Sequence, residues 1–553
     1  MRSHEVSQAA APNRAQNAEP SHTRRTMLCL IALAACYVVL FLPANFTGAK
    51  NVNMLAAFGS DEYFLFPRVT RIFSAGPTLV ESLKHTFATG GYQYGYPYYL
   101  TSALVLLPVR MAFALSGSDA DRTAVFMLVL RELSPLWMAV AILLLVYLWT
   151  EFESLPRAVL LFLFLGFVPG IFRNNLWWHP DSLAALLVVG TLFCLVKDDL
   201  HFGKWFYVAA LGCGLATGTK LLGLYFLPVL VVYGVFGRRN RGLELKSLLK
   251  AAGLFLLIWA SVYVVTNPQL LVPRMAKYIL GSYVSEARYG SFGSSAPEAK
   301  GPLAWYHETL RASFGFWWFY ILLVGAFVAG FVLDQKNRLL YTLTLSWTCC
   351  YSGVLLFCVA RKFPHYAIPA FLPMFSCVGH PTLWNVRNFQ GAKRTRVLLV
   401  LALAIVLGGY QFARYLQADL GRYTYTLTRE QTSPSLAFYR KLDETLFGKL
   451  PGDKRLVVFR DPYVYLAPRD HLDITMKYGS ASYADVESIH ADLVLLQKDY
   501  IEDYSNEAAV EHRWNRDQAR ASCLFYRDAK NNSLKGFHKL LETEYAIAFA
   551  RDQ

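Results

Sequence analysis

Residues 58 to 68 read FGSDEYFLFPR and set two adjacent carboxylates, Asp61 and Glu62, among aromatic side chains. Neighbours in sequence point in different directions, roughly 100° apart on a helix, so one of the two turns toward any shared site and the other turns away. On their own they also read as a solvated loop pair. A second acid lies far along the chain in RNNLWWHPDSLAALLVV (173 to 189), where Asp181 directly follows Pro180 at the start of an apolar run. Proline suits the first helical turn and an acid suits the positive end of the helix dipole, so a structural Asp181 is the competing reading. Two acids from distant segments at one membrane surface suit the activation of a hydroxyl.

Cations accompany them. Lys220 stands in GLATGTKLLGLY, and Arg361, Lys362 and His365 stand in RKFPHYAIPAF. Singly, each reads as a side chain snorkelling to the headgroups. Together, on the side where cations are disfavoured, they suit an anion such as a lipid-linked phosphate held at the surface. Arg131, followed by Glu132 within an apolar run, reads as an inward-facing structural charge outside this group. Tyr94 and Tyr96 in GYQYGYPYYL, and Tyr289 and His307 in a later loop, add flat faces and polar groups that suit a sugar, although membrane aromatic belts place Tyr and Trp at the same depth. There is no Walker glycine loop, HExxH or nucleophile-elbow serine; GSFGSS (290 to 295) reads as a flexible loop.

What positions these residues is a membrane. Hydrophobic residues make up 55% of the 553 and charged residues only 17%, with long apolar blocks recurring from 26 to 415. A soluble domain does not hide so many runs near the length of about 20 residues that crosses a bilayer. Spans are expected at 26–44, 124–149, 157–172, 182–197, 204–219, 221–237, 249–266, 315–333, 339–359, 366–386 and 397–415. Much of the net charge of +15 sits in short loops, among them Arg238, Arg239, Arg241, Lys336, Arg338, Lys393 and Arg394, while residues 416 to 553 hold 19 Lys/Arg against 21 Asp/Glu. The positive-inside rule puts those loops in the cytoplasm, which argues against a nucleic-acid partner. To keep that sidedness, 99–117 is expected to lie at the outer surface without crossing, followed as it is by the acidic SGSDADR. The expected fold is a polytopic α-helical membrane protein of about eleven spans. It has a disordered cytoplasmic tail (1–22), a membrane domain (23–415) with outer loops 45–123 and 267–314, and an extracytoplasmic α/β domain (416–553) suggested by strand-like RLVVF and ADLVLL. Eight of the nine cysteines fall in apolar blocks and show neither a disulfide framework nor zinc spacing.

In order and sidedness, Asp61-Glu62, the tyrosine-rich segment, HPDSLAALL (179 to 187), GLATGTK (214 to 220) and RKFPHYAIPAF (361 to 371) resemble the GT-C superfamily of glycosyltransferases. The similarity is to the branch of protein O-mannosyltransferases and lipid A aminoarabinose transferases, over roughly residues 26 to 415. His179-Pro180 ahead of Asp181 departs from the arginine-containing approach of many mannosyltransferases. The resemblance implies an enzyme of a bacterial inner membrane, its site facing the periplasm or exterior. It would move a sugar from a polyprenyl phosphate, with inversion, to an acceptor that is a protein, lipid A or an envelope glycan. Asp61 is then the base, with Glu62 supporting its loop, and Asp181 aligns the sugar or acceptor hydroxyl. Lys220, Arg361 and Lys362 hold the phosphate, His365 orients it, and Tyr94, Tyr96, His179, Tyr289 and His307 line the substrate. No cofactor is expected; two carboxylates suit Mg²⁺ or Mn²⁺, but this branch is mostly metal-independent. The rival is a flippase of lipid-linked sugars, which favours broken helices at the midplane and internal repeats, and neither is evident.

Overall fold

The computed structural model describes residues 20–90, 94–116, 122–289, 302–359, 362–380, 391–449, 455–477, 481–512 and 515–552. All but the last three residues of the 1–22 tail, the GSFGSS loop and Arg361 lie outside the described residues.

Among the described residues, seven helices are long and apolar enough to cross a membrane, or up to eight if the bent pair Tyr306–Phe314 and Trp317–Leu333 is one span. The expected count of about eleven is not confirmed among the described residues. Helix Leu155–Gly166 has 12 residues and stops ahead of Pro169, whose ring has no N–H to continue the ladder, before the short Pro169–Asn174. Helix Lys204–Lys220 has 17 residues and ends where Leu221 turns left-handed at φ 57°. Helix Asp181–Asp198 has 18, with Asp181, Lys197 and Asp198 at its ends, and Ile368–Phe375 has 8 and passes into a tight turn. Conversely, Tyr96–Ser116 is one helix of 21 residues and is among the seven, so the expectation that 99–117 fails to cross finds no support in length or apolarity.

The spans share a core in which Trp149, Phe162, Phe226, Tyr233 and Trp347 are buried. A second cluster, including Tyr98, Tyr99, Trp137 and Trp178, packs against Leu55, Leu65, Phe66 and Val69 of the loop that follows the first span. Two short helices form that loop. Asn51 caps Val52–Phe58 by accepting the Met54 N–H at 2.9 Å, and after Gly59 the helix Ser60–Arg71 starts with Asp61 and Glu62 in its first turn. One close approach fixes the tyrosine segment. A Cβ on Gly95 would lie 1.3 Å from the Gly218 carbonyl oxygen, and the Gly95 N–H donates to Thr219 O at 3.0 Å. Only glycine lets that strand of chain lie against the end of the helix carrying Lys220.

The helix beginning at Gly391 continues to Thr432, well past the expected end of the last span, and Pro434–Thr445 follows. The C-terminal domain is a five-stranded sheet of β1 (Leu456–Arg460), β2 (Leu472–Met476), β3 (Leu493–Gln497), β4 (Phe537–Glu542) and β5 (Ala546–Arg551). Its order is β2-β1-β3-β5-β4, with β1 parallel to β2 and β3, and β5 antiparallel to both neighbours. Apolar clusters around Phe525 and Tyr526 and around Phe438 and Leu442 cover parts of it.

Candidate active site

The two adjacent acids at the start of the helix Ser60–Arg71 have opposite surroundings. Glu62 is 1% exposed and closed in a bidentate pair with Arg131, whose Nε donates to Oε1 at 2.8 Å and whose Nη2 donates to Oε2 at 2.6 Å. The remaining Arg131 nitrogen donates to the Asn45 and Thr47 carbonyls at 2.8 and 2.6 Å. Glu62 Oε1 also accepts the Trp178 N–H at 2.8 Å. Burial alone would push the Glu62 carboxyl up, but the guanidinium and these donated hydrogen bonds outweigh it and hold the group below its ordinary value. Glu62 thereby ties three segments together, with Asp61 as its neighbour on one side of the contact and His179 following Trp178 on the other.

Asp61, with a third of its side chain exposed, faces the other way. Its Oδ2 lies 3.8 Å from His179 Nε2. The Tyr94 hydroxyl is 2.8 Å from the same nitrogen, and His179 Nδ1 meets Asp181 Oδ2. Asp181 Oδ1 accepts from Lys220 Nζ at 2.6 Å, and Asp181 Oδ2 is 3.9 Å from His365 Nε2. The imidazole of His179 stacks on the Trp177 indole, with centroids 4.1 Å apart and planes 5° apart, and meets the His365 ring at 4.8 Å. Lys220 also sits 4.4 Å over the Tyr366 ring. Burial lowers His365 well below the ordinary histidine value despite the attraction of Asp181, so it presents a neutral imidazole.

Local sequence explains the convergence. Asp181 opens its helix after Pro180, and Lys220 closes the antiparallel neighbour, so the two ends meet at one level. Ser134 Oγ donates to Trp177 O at 2.8 Å, and Asn174 Nδ2 donates to Ser182 Oγ at 2.7 Å, fixing the turn that carries WWHPD. Trp178 stacks on Tyr98 with centroids 5.2 Å apart.

Of the residues the sequence singles out, Asp61, Tyr94, His179, Asp181, Lys220 and His365 come together. Glu62 belongs to the supporting pair. Lys362 turns its ammonium to its own backbone, donating to Val359 O at 2.8 Å. Tyr96 is buried elsewhere, its N–H donating to Asn267 Oδ1 at 3.2 Å and its ring against Phe87 at 5.8 Å. His307 is exposed beside Tyr306, and no described contact joins it to the cluster. Tyr289 ends the helix Pro273–Tyr289, its side chain outside the described residues. Two participants escape a reading by residue type, Trp177 and Tyr366, while Arg131 is the inward-facing structural charge that the sequence suggests, paired with Glu62. As possible metal donors, His179, Asp181 and His365 each offer one atom within 4.8 Å of the others. The Lys220 ammonium already provides Asp181 with a cation.

No protein-family model matches the chain, and no curated protein matches it. Among solved structures it is similar to ArnT from Cupriavidus metallidurans bound to undecaprenyl phosphate, 12% identical over 95% of this chain and 97% of that one, with a TM-score of 0.50. It is also similar to the apo oligosaccharyltransferase of Archaeoglobus fulgidus, 12% identical over 95% of this chain and 74% of that one, again at 0.50. The chain therefore shares the fold of these two solved structures.

Proposed function

We propose that this protein is a membrane glycosyltransferase that moves a sugar from a polyprenyl phosphate to a hydroxyl outside the cytoplasm, with inversion at the anomeric carbon. The observation that carries the reading is the meeting of Asp61, His179, Asp181, Lys220 and His365 from four distant segments, with Asp61 partly exposed at its edge. In this reading Asp61 takes the proton of the acceptor hydroxyl as its oxygen bonds to the anomeric carbon. The bond from that carbon to the phosphate oxygen breaks, and its electron pair leaves with the polyprenyl phosphate. A phosphate is a fair leaving group, so stabilising its developing charge matters more than protonating it. Lys220 supplies the positive charge, shared with Asp181, and the neutral His365 donates a hydrogen bond to a phosphate oxygen. Asp181 and His179 hold one another and fix Lys220 and the acceptor in line. Trp177 and Tyr94 offer flat faces to the sugar.

The active charge in this scheme is an ammonium and no metal ion is needed. The site would face the periplasm or exterior of a bacterial inner membrane, and the acceptor would be a protein, lipid A or an envelope glycan. The test is transfer of label from a polyprenyl-phosphate sugar pool to envelope extract by purified protein in lipid, with Asp61→Asn as the control. Label that only changes leaflets, equally in the variant, would establish a flippase instead.

A further inference from the structure

The C-terminal sheet has a place where function is expected on general grounds. In its order β2-β1-β3 the chain leaves β1 toward β2 on one side and returns to β3 on the other, so the loops after β1 and β3 diverge. In open α/β sheets, ligands settle in the crevice outside the carboxyl ends of strands at such a switch point. Here the loop after β1, residues 461 to 466, is turned to the first outer loop of the membrane domain. Arg460 Nη2 donates to Asn53 Oδ1 at 3.2 Å, Asn51 Nδ2 donates to the Tyr465 hydroxyl at 3.3 Å, and the Tyr463 hydroxyl pairs with Ser60 Oγ at 3.0 Å. Ser60 begins the helix whose next residue is Asp61.

The reaching loop is itself rigidly held. The fully buried Arg460 donates from Nη1 to Pro462 O and Val464 O at 3.0 and 2.8 Å. Tyr463 O accepts from Ser435 Oγ and from the Tyr545 hydroxyl, both at 2.8 Å. Asp461 accepts the Gln497 N–H at 2.8 Å and the Tyr526 hydroxyl at 2.7 Å, which locks the start of the loop to the end of β3 and to the helix Arg516–Lys530. A loop with this many internal bonds transmits position, whereas a loose one would only follow its neighbour.

We propose that the C-terminal domain is a positioning element of the active site, and that Tyr463 acts through Ser60 to set the helix bearing Asp61. Glu62 and Arg131 hold that helix from the membrane side; Tyr463 holds its first residue from outside. The inference rests on Asp61 being the base.

The experiment uses the full-length protein in lipid nanodiscs with Tyr463→Phe, Ser60→Ala, the double variant and Ser60→Thr. Loss of one neutral hydrogen bond corresponds to about a threefold to tenfold change. Turnover should fall by that factor in each single variant, with undecaprenyl phosphate binding unchanged, and the double variant should lose no more than a single one, because both remove one interaction. Ser60→Thr, which keeps the hydroxyl, should retain turnover. Hydrogen exchange, which needs no activity, should quicken in residues 52 to 66 and stay unchanged in the sheet. Losses that add in the double variant, or exchange in 52 to 66 that does not respond, would overturn the proposal. Wild-type protein that transfers no sugar would instead overturn the functional reading, while the exchange measurement still judges the coupling.

Discussion

Asp61 and Glu62 are adjacent, yet they occupy two unlike electrostatic regions. Around Glu62 the charges close on themselves: Arg131 is fully buried, Glu62 nearly so, and both carboxylate oxygens are bonded. Around Asp61 the charges stay open: an acid a third exposed, two histidines stacked against tryptophan and phenylalanine rings, and an ammonium with one carboxylate partner. A closed pair has no capacity left for a substrate and can only hold position, whereas an open cluster can exchange partners. In the proposed reading, position and chemistry are divided between consecutive residues, which would place the reacting group one residue from its most rigid anchor.

The sharpest way to break this comparison is Asp61→Asn, which keeps shape and removes basicity. Turnover should fall roughly 10²- to 10⁴-fold with undecaprenyl phosphate binding near normal, as read by single-turnover transfer and a binding assay. Glu62→Gln should behave in the opposite manner. It leaves Arg131 buried without its counter-charge and should cost about 3 to 5 kcal/mol of stability, measured by chemical unfolding in detergent, with binding and turnover falling together as folded protein is lost. An effect on turnover alone would move Glu62 into the open region.

Lys220→Met should weaken donor binding by about tenfold to a hundredfold, the scale of a charge-assisted hydrogen bond; because it also leaves the buried Asp181 without its ammonium, the unfolding midpoint should fall as well, and binding is read per folded protein. A smaller effect belongs to pH. Glu62 has a folded value below its ordinary 4.5, so its contribution to stability is present above about 4.5 and is lost as pH falls through the lowered value. Wild-type unfolding midpoints followed from pH 6 to 3 should show an acid limb that Glu62→Gln lacks. Finally, because Lys220 serves Asp181, a chelator should leave transfer unchanged; activity that is lost and then restored by a divalent ion would assign His179, Asp181 and His365 to a metal.

What the sequence by itself determined is the material, with the side of the membrane following only as an expectation from the charge rule. Apolar blocks imply spans, basic loops imply orientation, and acids and cations at span ends imply an outer cluster, because bilayer thickness and charge transfer act on local composition. Asp61, Asp181, Lys220 and His365 were legible in that way, and so was a C-terminal sheet. Which of two neighbouring acids turns inward was not legible, since it depends on Arg131, 69 positions away, and on the Trp178 N–H, 116 away. The span expected at 157–172 is interrupted at Pro169, whereas the end of the helix before Leu221 agrees with the span expected to 219. The meeting of Tyr463 with Ser60, 403 positions apart, leaves no local trace at all. Tertiary structure decided each of these because burial makes an unpaired charge or donor costly, and only the folded chain shows which distant partner satisfies it.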